Sequence, residues 1–181
     1  MRVSNLAGAG ALAALLAATI SLPARSAELA NAQIKDSSGK AVGDADLTQT
    51  PAGVLIKLQL KGIKPGEHAF HIHAVGKCEA PFTSAGGHFN PGNHKHGMMS
   101  GPAHAGDMPN LHVPQSGDLS VEVLNAAVTL EKGKPNSLFD ADGSALVVHA
   151  TADDYKSDPA GNAGDRIACG VVQESGAAAR K

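Results

Sequence analysis

The sequence predicts an all-β protein, an antiparallel sandwich or barrel. Short apolar runs that alternate with polar residues recur along the chain, and 21 glycines and 10 prolines separate them with turns. There is no Trp, one Tyr and four Phe, so the core has to be built from Val, Leu, Ile and Ala. The length of 181 residues suffices for one domain with a substantial core.

The clearest strand is residues 54–60, where Val54, Ile56, Leu58 and Leu60 share one face. Pro51-Ala52-Gly53 turns into it, and Lys61-Gly62-Ile63-Lys64-Pro65-Gly66 turns out. Residues 67–73 form the next strand. Leu119, Val121 and Val123 alternate again. Residues 128–130 and 145–149 are short apolar runs, and 167–172 closes the domain. Residues 30–35 and 44–49 are weaker candidates, which brings the count to about eight strands. Two stretches resist strand assignment: 74–113, rich in Gly, Pro, Asn and His, and the shorter, charged 150–165. Loops of that length are functional or disordered. Metal coordination can order segments that lack apolar contacts.

Residues 1–26 read as a secretory signal peptide. Arg2 is followed by a small-residue apolar stretch from Leu6 to Leu22, and Ala24-Arg25-Ser26 places small residues around a cut before Ala27. The stretch is near the lower limit for a membrane span and rich in Ala and Gly, so no stable membrane insertion is expected after cleavage. The domain then occupies 27–173, and 174–181 is a small, polar, flexible tail. The formal net charge of −2 gives no case for nucleic-acid binding. Cleavage removes Arg2 and Arg25, which leaves 13 basic against 17 acidic residues, a net charge of −4. Export exposes Cys78 and Cys169 to oxidising conditions. A disulfide is the default there, and two soft metal ligands are the alternative.

Six histidines and an aspartate carry the chemistry: His71-x-His73, His88, His96, His104 with Asp107, and His149. Seven ligands are too many for one four-coordinate ion and one short of the number for two. If the seven serve two ions, one imidazole has to bind both, which points to a binuclear redox centre. His71 and His73 alternate with Phe70 and Ile72 on a strand, so the histidines share one face and the apolar pair points to the core. Three His and an Asp, among them His96, His104 and Asp107, match a closed tetrahedral zinc site. His149 ends an apolar run, where a lone histidine would be ordinary. His68 reads as structural, and His94 and His112 as exposed loop residues. Met98, Met99 and Met108 can bind Cu(I), but loop packing is the better account of them.

Six segments in order resemble copper,zinc superoxide dismutase, most closely its secreted bacterial branch. They are Gly66-Glu67-His68-Ala69-Phe70-His71-Ile72-His73, Gly87-His88-Phe89-Asn90-Pro91, Lys95-His96-Gly97, His104-Ala105-Gly106-Asp107, Leu146-Val147-Val148-His149, and Gly161-Asn162-Ala163-Gly164-Asp165-Arg166-Ile167-Ala168-Cys169-Gly170. The resemblance implies an immunoglobulin-like Greek-key β-sandwich or flattened barrel with two long metal-site loops. It implies one copper ion on His71, His73, His88 and His149, and one zinc ion on His88, His96, His104 and Asp107, with His88 the bridge. It makes Asp153 a carboxylate that orients His71 and His96, Arg166 the guide for an anionic substrate, and Cys78–Cys169 a disulfide. The reaction implied is dismutation of superoxide to dioxygen and hydrogen peroxide, protecting the cell envelope, in a chain that can form a homodimer. His88 and Arg166 would act directly in it. The 150–165 loop lacks the acidic-then-lysine stretch of the eukaryotic branch, and Asp165 stands beside Arg166. A noncatalytic copper-delivery module on the same fold is the main rival. It needs neither a bridge nor an anion guide. A mononuclear zinc hydrolase would need an open coordination site and a general base.

Overall fold

The computed structural model describes residues 28–99 and 101–175. The expected leader and residues 176–181 lie outside the described residues. Strands β1 (Leu29–Asp36), β2 (Ala41–Thr50) and β3 (Gly53–Leu60) form a continuous antiparallel meander. The two weaker sequence candidates, 30–35 and 44–49, are thus full strands and longer than their apolar patterns suggest. β4 (Gly66–His68), β5 (Phe70–His73), β6 (Leu111–Val113), β7 (Leu119–Asn125), β8 (Ala145–His149), β9 (Arg166–Val171) and β10 (Gln173–Glu174) complete the described set, with one 3₁₀ turn at Thr83–Ala85.

The main sheet runs β5-β8-β9-β1-β2-β3-β7, with β10 beside β1, while β4 and β6 form a separate ribbon. From β3 the chain crosses to the opposite edge for β5, returns to set β7 against β3, and crosses again to β8. This is the Greek-key crossing. One face of every strand from β5 to β7 feeds a single apolar cluster, including Ile34, Leu47, Ile56, Leu58, Phe70, Ile72 and Leu146. A flat sheet cannot bring its two edges to one core, so the sheet curls around its own side chains. A smaller cluster of Phe82, Ala85, Ala145, Val147 and Cys169 lies on the other face of β8 and β9. Both faces of β8 are therefore covered, and all five of its residues are buried.

Three expectations need correction. Residues 67–73 are not one strand: the chain breaks at Ala69, whose N–H donates to Thr151 O at 2.8 Å and whose carbonyl accepts from His149 N at 2.9 Å. Residues 128–130 are not a strand. Val128 and Leu130 are buried as their apolar character requires. Their segment is held by the Gln49 side chain, whose Oε1 accepts from Thr129 Oγ1 at 2.8 Å and from Leu130 N at 2.7 Å. The stretch expected to be a tail from 174 begins with a paired residue: Glu174 sits opposite Ala30, and Ser175 N donates to Leu29 O.

Candidate metal centre

β5 supplies two histidines to one face. The long loop from 74, which ends at 110 just before β6 begins, is stitched along the edge of β5: Ile72 N donates to Gly106 O, Phe89 N to Ile72 O, and Gly106 N to Phe89 O, all at 2.8–2.9 Å. These bonds set His73 opposite His88 and His71 opposite Asp107 as isolated bridges. Position 106 has to be glycine, because a Cβ there would lie 2.2 Å from Ile72 O. From the other side, β8 ends at His149, paired with Arg166 across a bulge.

The structure brings all seven sequence-derived ligands together, buried, in two groups that share one member. Donor atoms of His71, His73, His88 and His149 lie within 4.8 Å of one another, as do those of His88, His96, His104 and Asp107. In four of the rings one nitrogen is anchored to an acceptor, which fixes the tautomer and leaves the other nitrogen its lone pair. His73 Nδ1 donates to Gly86 O at 3.0 Å and His149 Nδ1 to Gly164 O at 3.3 Å. Their Nε2 lone pairs face each other at 3.3 Å. His71 Nε2 donates to Asp153 Oδ2 at 2.8 Å, and its buried Nδ1 has no hydrogen-bond partner. His96 Nε2 donates to Asp153 Oδ1 at 3.0 Å, while its Nδ1 faces Asp107 Oδ1 at 3.0 Å. Lone pairs directed at one another and at a carboxylate oxygen repel unless a cation lies among them, so both donor sets fit metal ions.

His88 belongs to both groups. Its Nδ1 lies 2.8 Å from Asp107 Oδ1 and 3.4 Å from His104 Nδ1. Its buried Nε2 has no hydrogen-bond partner.

The protonation states suit ligation. Burial pushes His73 down to about 2 and His149 down to about 3, and burial also lowers His71 and His104. All four stay neutral at ordinary pH. Burial would raise Asp107 and Asp153. For Asp107, hydrogen bonds from His88 and the Gly97 amide outweigh it. For Asp153, those from His71, His96 and the Tyr155 amide do so. Both carboxyls end at about 2.

Asp153 bridges His71 and His96 with its two oxygens. Gly161 (φ 63) packs against it so closely that a Cβ would lie 1.9 Å from Asp153 Oδ1. Arg166 is pinned by Nη1 to Phe82 O and by Nη2 to Gly86 O, both at 2.6 Å. Cys78 and Cys169 form the disulfide. His68, as read, is structural: its ring spans His149 O at 2.7 Å and Lys64 O at 2.8 Å. His94 and His112 are exposed. Met108 packs in the main core, while Met98 and Met99 are exposed rather than packed.

The sequence reading missed the acceptors Gly86 O and Gly164 O, which no residue type announces. It also missed Asp158, whose Oδ1 accepts from His96 N at 2.9 Å, and the contacts of Tyr155 and Asn110 with Asp153.

Comparison with known proteins agrees with this geometry. The copper/zinc superoxide dismutase (SODC) family pattern matches residues 41–172. Superoxide dismutase [Cu-Zn] 1 of Aquifex aeolicus is 58% identical over 147 residues, covering 79% of this chain and 86% of that protein. The [Cu-Zn] enzyme of Caulobacter vibrioides is 44% identical over 149 residues, covering 80% and 85%. Among solved structures, a SOD-like protein from Bacillus subtilis superposes with a TM-score of 0.75 at 38% identity, covering 79% of this chain and 97% of that one. A two-group histidine centre on a curled Greek-key sheet, together with this level of identity, places the chain in the copper/zinc superoxide dismutase family.

Proposed function

We propose that His71, His73, His88 and His149 hold copper, that His88, His96, His104 and Asp107 hold zinc, and that His88 bridges them. The observation that carries this assignment is the membership of His88 in both donor groups, with Nδ1 beside Asp107 and a buried Nε2 that no hydrogen bond uses. The family membership makes the protein an oxidoreductase that dismutates superoxide with copper and zinc as cofactors. Bound copper supplies the one-electron oxidation and reduction that turn two superoxides and two protons into dioxygen and hydrogen peroxide, and zinc supplies a fixed charge without redox chemistry.

The chain's own residues do the rest. Nε2 of His88 is the atom that can take up a proton and hand it to the departing peroxide while Nδ1 stays in the zinc group. His73 and His149 keep their Nδ1 protons on carbonyls and present neutral donors. Arg166, fixed on two backbone carbonyls, draws the anion toward the copper group with its remaining N–H donors. Asp153 fixes one ring of each group. No copper-delivery role requires the shared imidazole or the pinned guanidinium.

The reading extends to export. Residues 1–26 act as a leader, and the mature enzyme removes superoxide outside the cytoplasm, most simply in a periplasm and with homodimerisation as in the family resemblance. Among the described residues no helix is long and apolar enough to cross a membrane. N-terminal sequencing of protein from an extracytoplasmic fraction, with sedimentation of the same sample, tests these points. The central test is a superoxide assay on protein loaded with copper and zinc. Catalysis is expected with both metals and absent after copper removal. Stoichiometric loading of both metals without dismutation would favour the carrier.

A further inference from the structure

We infer that Tyr155 and Asn110 are positioning residues for the zinc side of the centre, holding Asp153 in place by a clip made of protein alone. The inference rests on the reading of Asp153 as the carboxylate that joins His71 to His96.

Asn110 follows the zinc-group residue Asp107 by three positions, in a segment remote in sequence from the 150–165 loop. Its side-chain amide pairs with the Asp153 peptide: Asp153 N donates to Asn110 Oδ1 at 2.9 Å, and Asn110 Nδ2 donates to Asp153 O at 3.0 Å. The backbone N of Asn110 donates to the Tyr155 hydroxyl at 2.7 Å. Tyr155 N in turn donates to Asp153 Oδ1 at 2.6 Å, the same oxygen that accepts from His96 Nε2. Four hydrogen bonds therefore close a ring through Asp153, Tyr155 and Asn110, and both long loops are joined without any metal-bound atom.

Two further features single out Tyr155. Its φ is 60, a conformation unfavourable for a bulky L-residue and kept only where surroundings over-determine it. The His96 segment lies directly on it: a Cβ at Gly97 would stand 2.3 Å from Tyr155 O. The strained backbone turns the Tyr155 amide onto the Asp153 carboxylate, while the phenol reaches across to the strand of chain that follows Asp107. Asp153 is thus anchored at its peptide by Asn110 and at its carboxylate by Tyr155. A carboxylate fixed in advance loses less conformational freedom when metal binds, which raises affinity without a new contact to the ion.

The test is zinc affinity of the full metal-free chain, measured by chelator competition, with cobalt(II) absorption reporting the geometry of the same site. Tyr155→Phe removes only the hydroxyl, and Asn110→Ala removes only the side-chain pairing. Each is expected to weaken zinc by about 10-fold, the lower range for outer-shell groups of metal sites, and to shift the cobalt bands. In an Asp153→Asn background the Tyr155→Phe change should add nothing further, since its effect passes through that carboxylate. Zinc affinity unaltered by Asp153→Asn would remove the reading of Asp153 and the inference with it. A loss with Asp153→Asn but wild-type affinity and cobalt bands in both Tyr155→Phe and Asn110→Ala would overturn the inference alone. So would a Tyr155→Phe loss of undiminished size in the Asp153→Asn background, which is what a merely structural role produces.

Discussion

Arg166 and His73 share one acceptor: Gly86 O takes Nη2 of the arginine at 2.6 Å and Nδ1 of the histidine at 3.0 Å. One peptide group therefore sets both the orientation of the His73 ring and the position of the Arg166 guanidinium. The carbonyl belongs to the loop that the Cys78–Cys169 bond ties to β9, the strand on which Arg166 stands. On the proposed assignment, a shift of this loop would therefore move the Arg166 guanidinium and the His73 ring together.

Arg166→Ile should lower the second-order rate with superoxide by about 10-fold or more, within the range by which focused charge raises encounter rates. The chain carries a net charge of −2, which becomes −4 without residues 1–26, and the substrate is an anion. A rate that falls as salt rises thus reports the local positive field. The screening length shrinks from about 30 Å at 0.01 M to about 10 Å at 0.1 M ionic strength. Pulse radiolysis across that series should show a falling wild-type rate and a nearly flat variant, with copper retained. A wild-type rate that climbs with salt would mean that net charge governs the approach.

Asp165 should act in the opposite direction. It is exposed and lines, with Arg166, Ser37, Pro81 and Thr83, a cavity of about 540 Å³. Asp165→Asn is expected to quicken the reaction at low ionic strength by a few-fold, with the gain vanishing as salt is added. Equal rates for variant and wild type at 0.01 M would show that its carboxylate leaves the guide's field untouched.

His88→Ala removes the only ring common to both groups. Activity should collapse, and the copper spectrum should become that of an isolated ion indifferent to zinc. The fold persists, because the His88 ring lies outside both apolar clusters. Normal turnover with an unchanged copper spectrum would rule out the bridge.

Reduction of the disulfide, or Cys78→Ser, should lower stability by roughly 4 to 5 kcal/mol in the chain-entropy account, since the bond spans 91 residues. Hydrogen exchange should quicken across residues 74–90 and 160–170, where Phe82 O and Gly86 O hold Arg166. Exchange that is unaltered in both segments would count against a role for the bond in shaping the anion guide.

Removal of the metals should leave a protein that weakens with acid well before its carboxylates titrate. An unfolded imidazole takes a proton near 6.5, whereas burial holds His73 at about 2 and His149 at about 3 in the folded chain. Below about pH 6 the unfolded state binds more protons, and each of these rings lowers stability by about 1.4 kcal/mol per pH unit. Asp107 and Asp153, depressed from 3.8 to about 2, stabilise the fold above pH 3.8 and lose that contribution as pH falls through 2. Urea midpoints of chelated protein at pH 7.5, 6 and 5 should therefore descend. A flat series would contradict the burial of neutral rings.

The strand faces were legible in sequence because alternation is local, whereas the division of the seven metal-binding candidates into two groups came from the family resemblance. Alternation at Val54, Ile56, Leu58 and Leu60 is enforced by the pleat, and His71 and His73 had to share a face once Phe70 and Ile72 were given to the core. What the sequence hid was satisfied at long range. Residues 128–130 have the apolar content of a strand, but the Thr129 backbone pairs with Asn136 and Leu138, and Leu130 N donates to the Gln49 side chain from some 80 positions away. The break at Ala69 exists because Thr151 and His149 take its peptide groups. Tyr155 and Asn110 are unremarkable loop residues until folding sets them around Asp153.

β8, covered on both faces, separates two bodies of unequal strength. The main cluster binds β5, β8 and β9 to the rest of the sheet, while the smaller one around Phe82 rests on the outer side of β8 and β9. Regions with fewer apolar contacts open more readily than the whole. Opening of the outer layer takes Phe82 O and Gly86 O away from Arg166 but leaves His71 and His149 on strands still packed from within. Because Gly86 O also anchors His73 Nδ1, such an opening releases Arg166 and one histidine of the first donor group together, while His71 and His149 keep their places on packed strands.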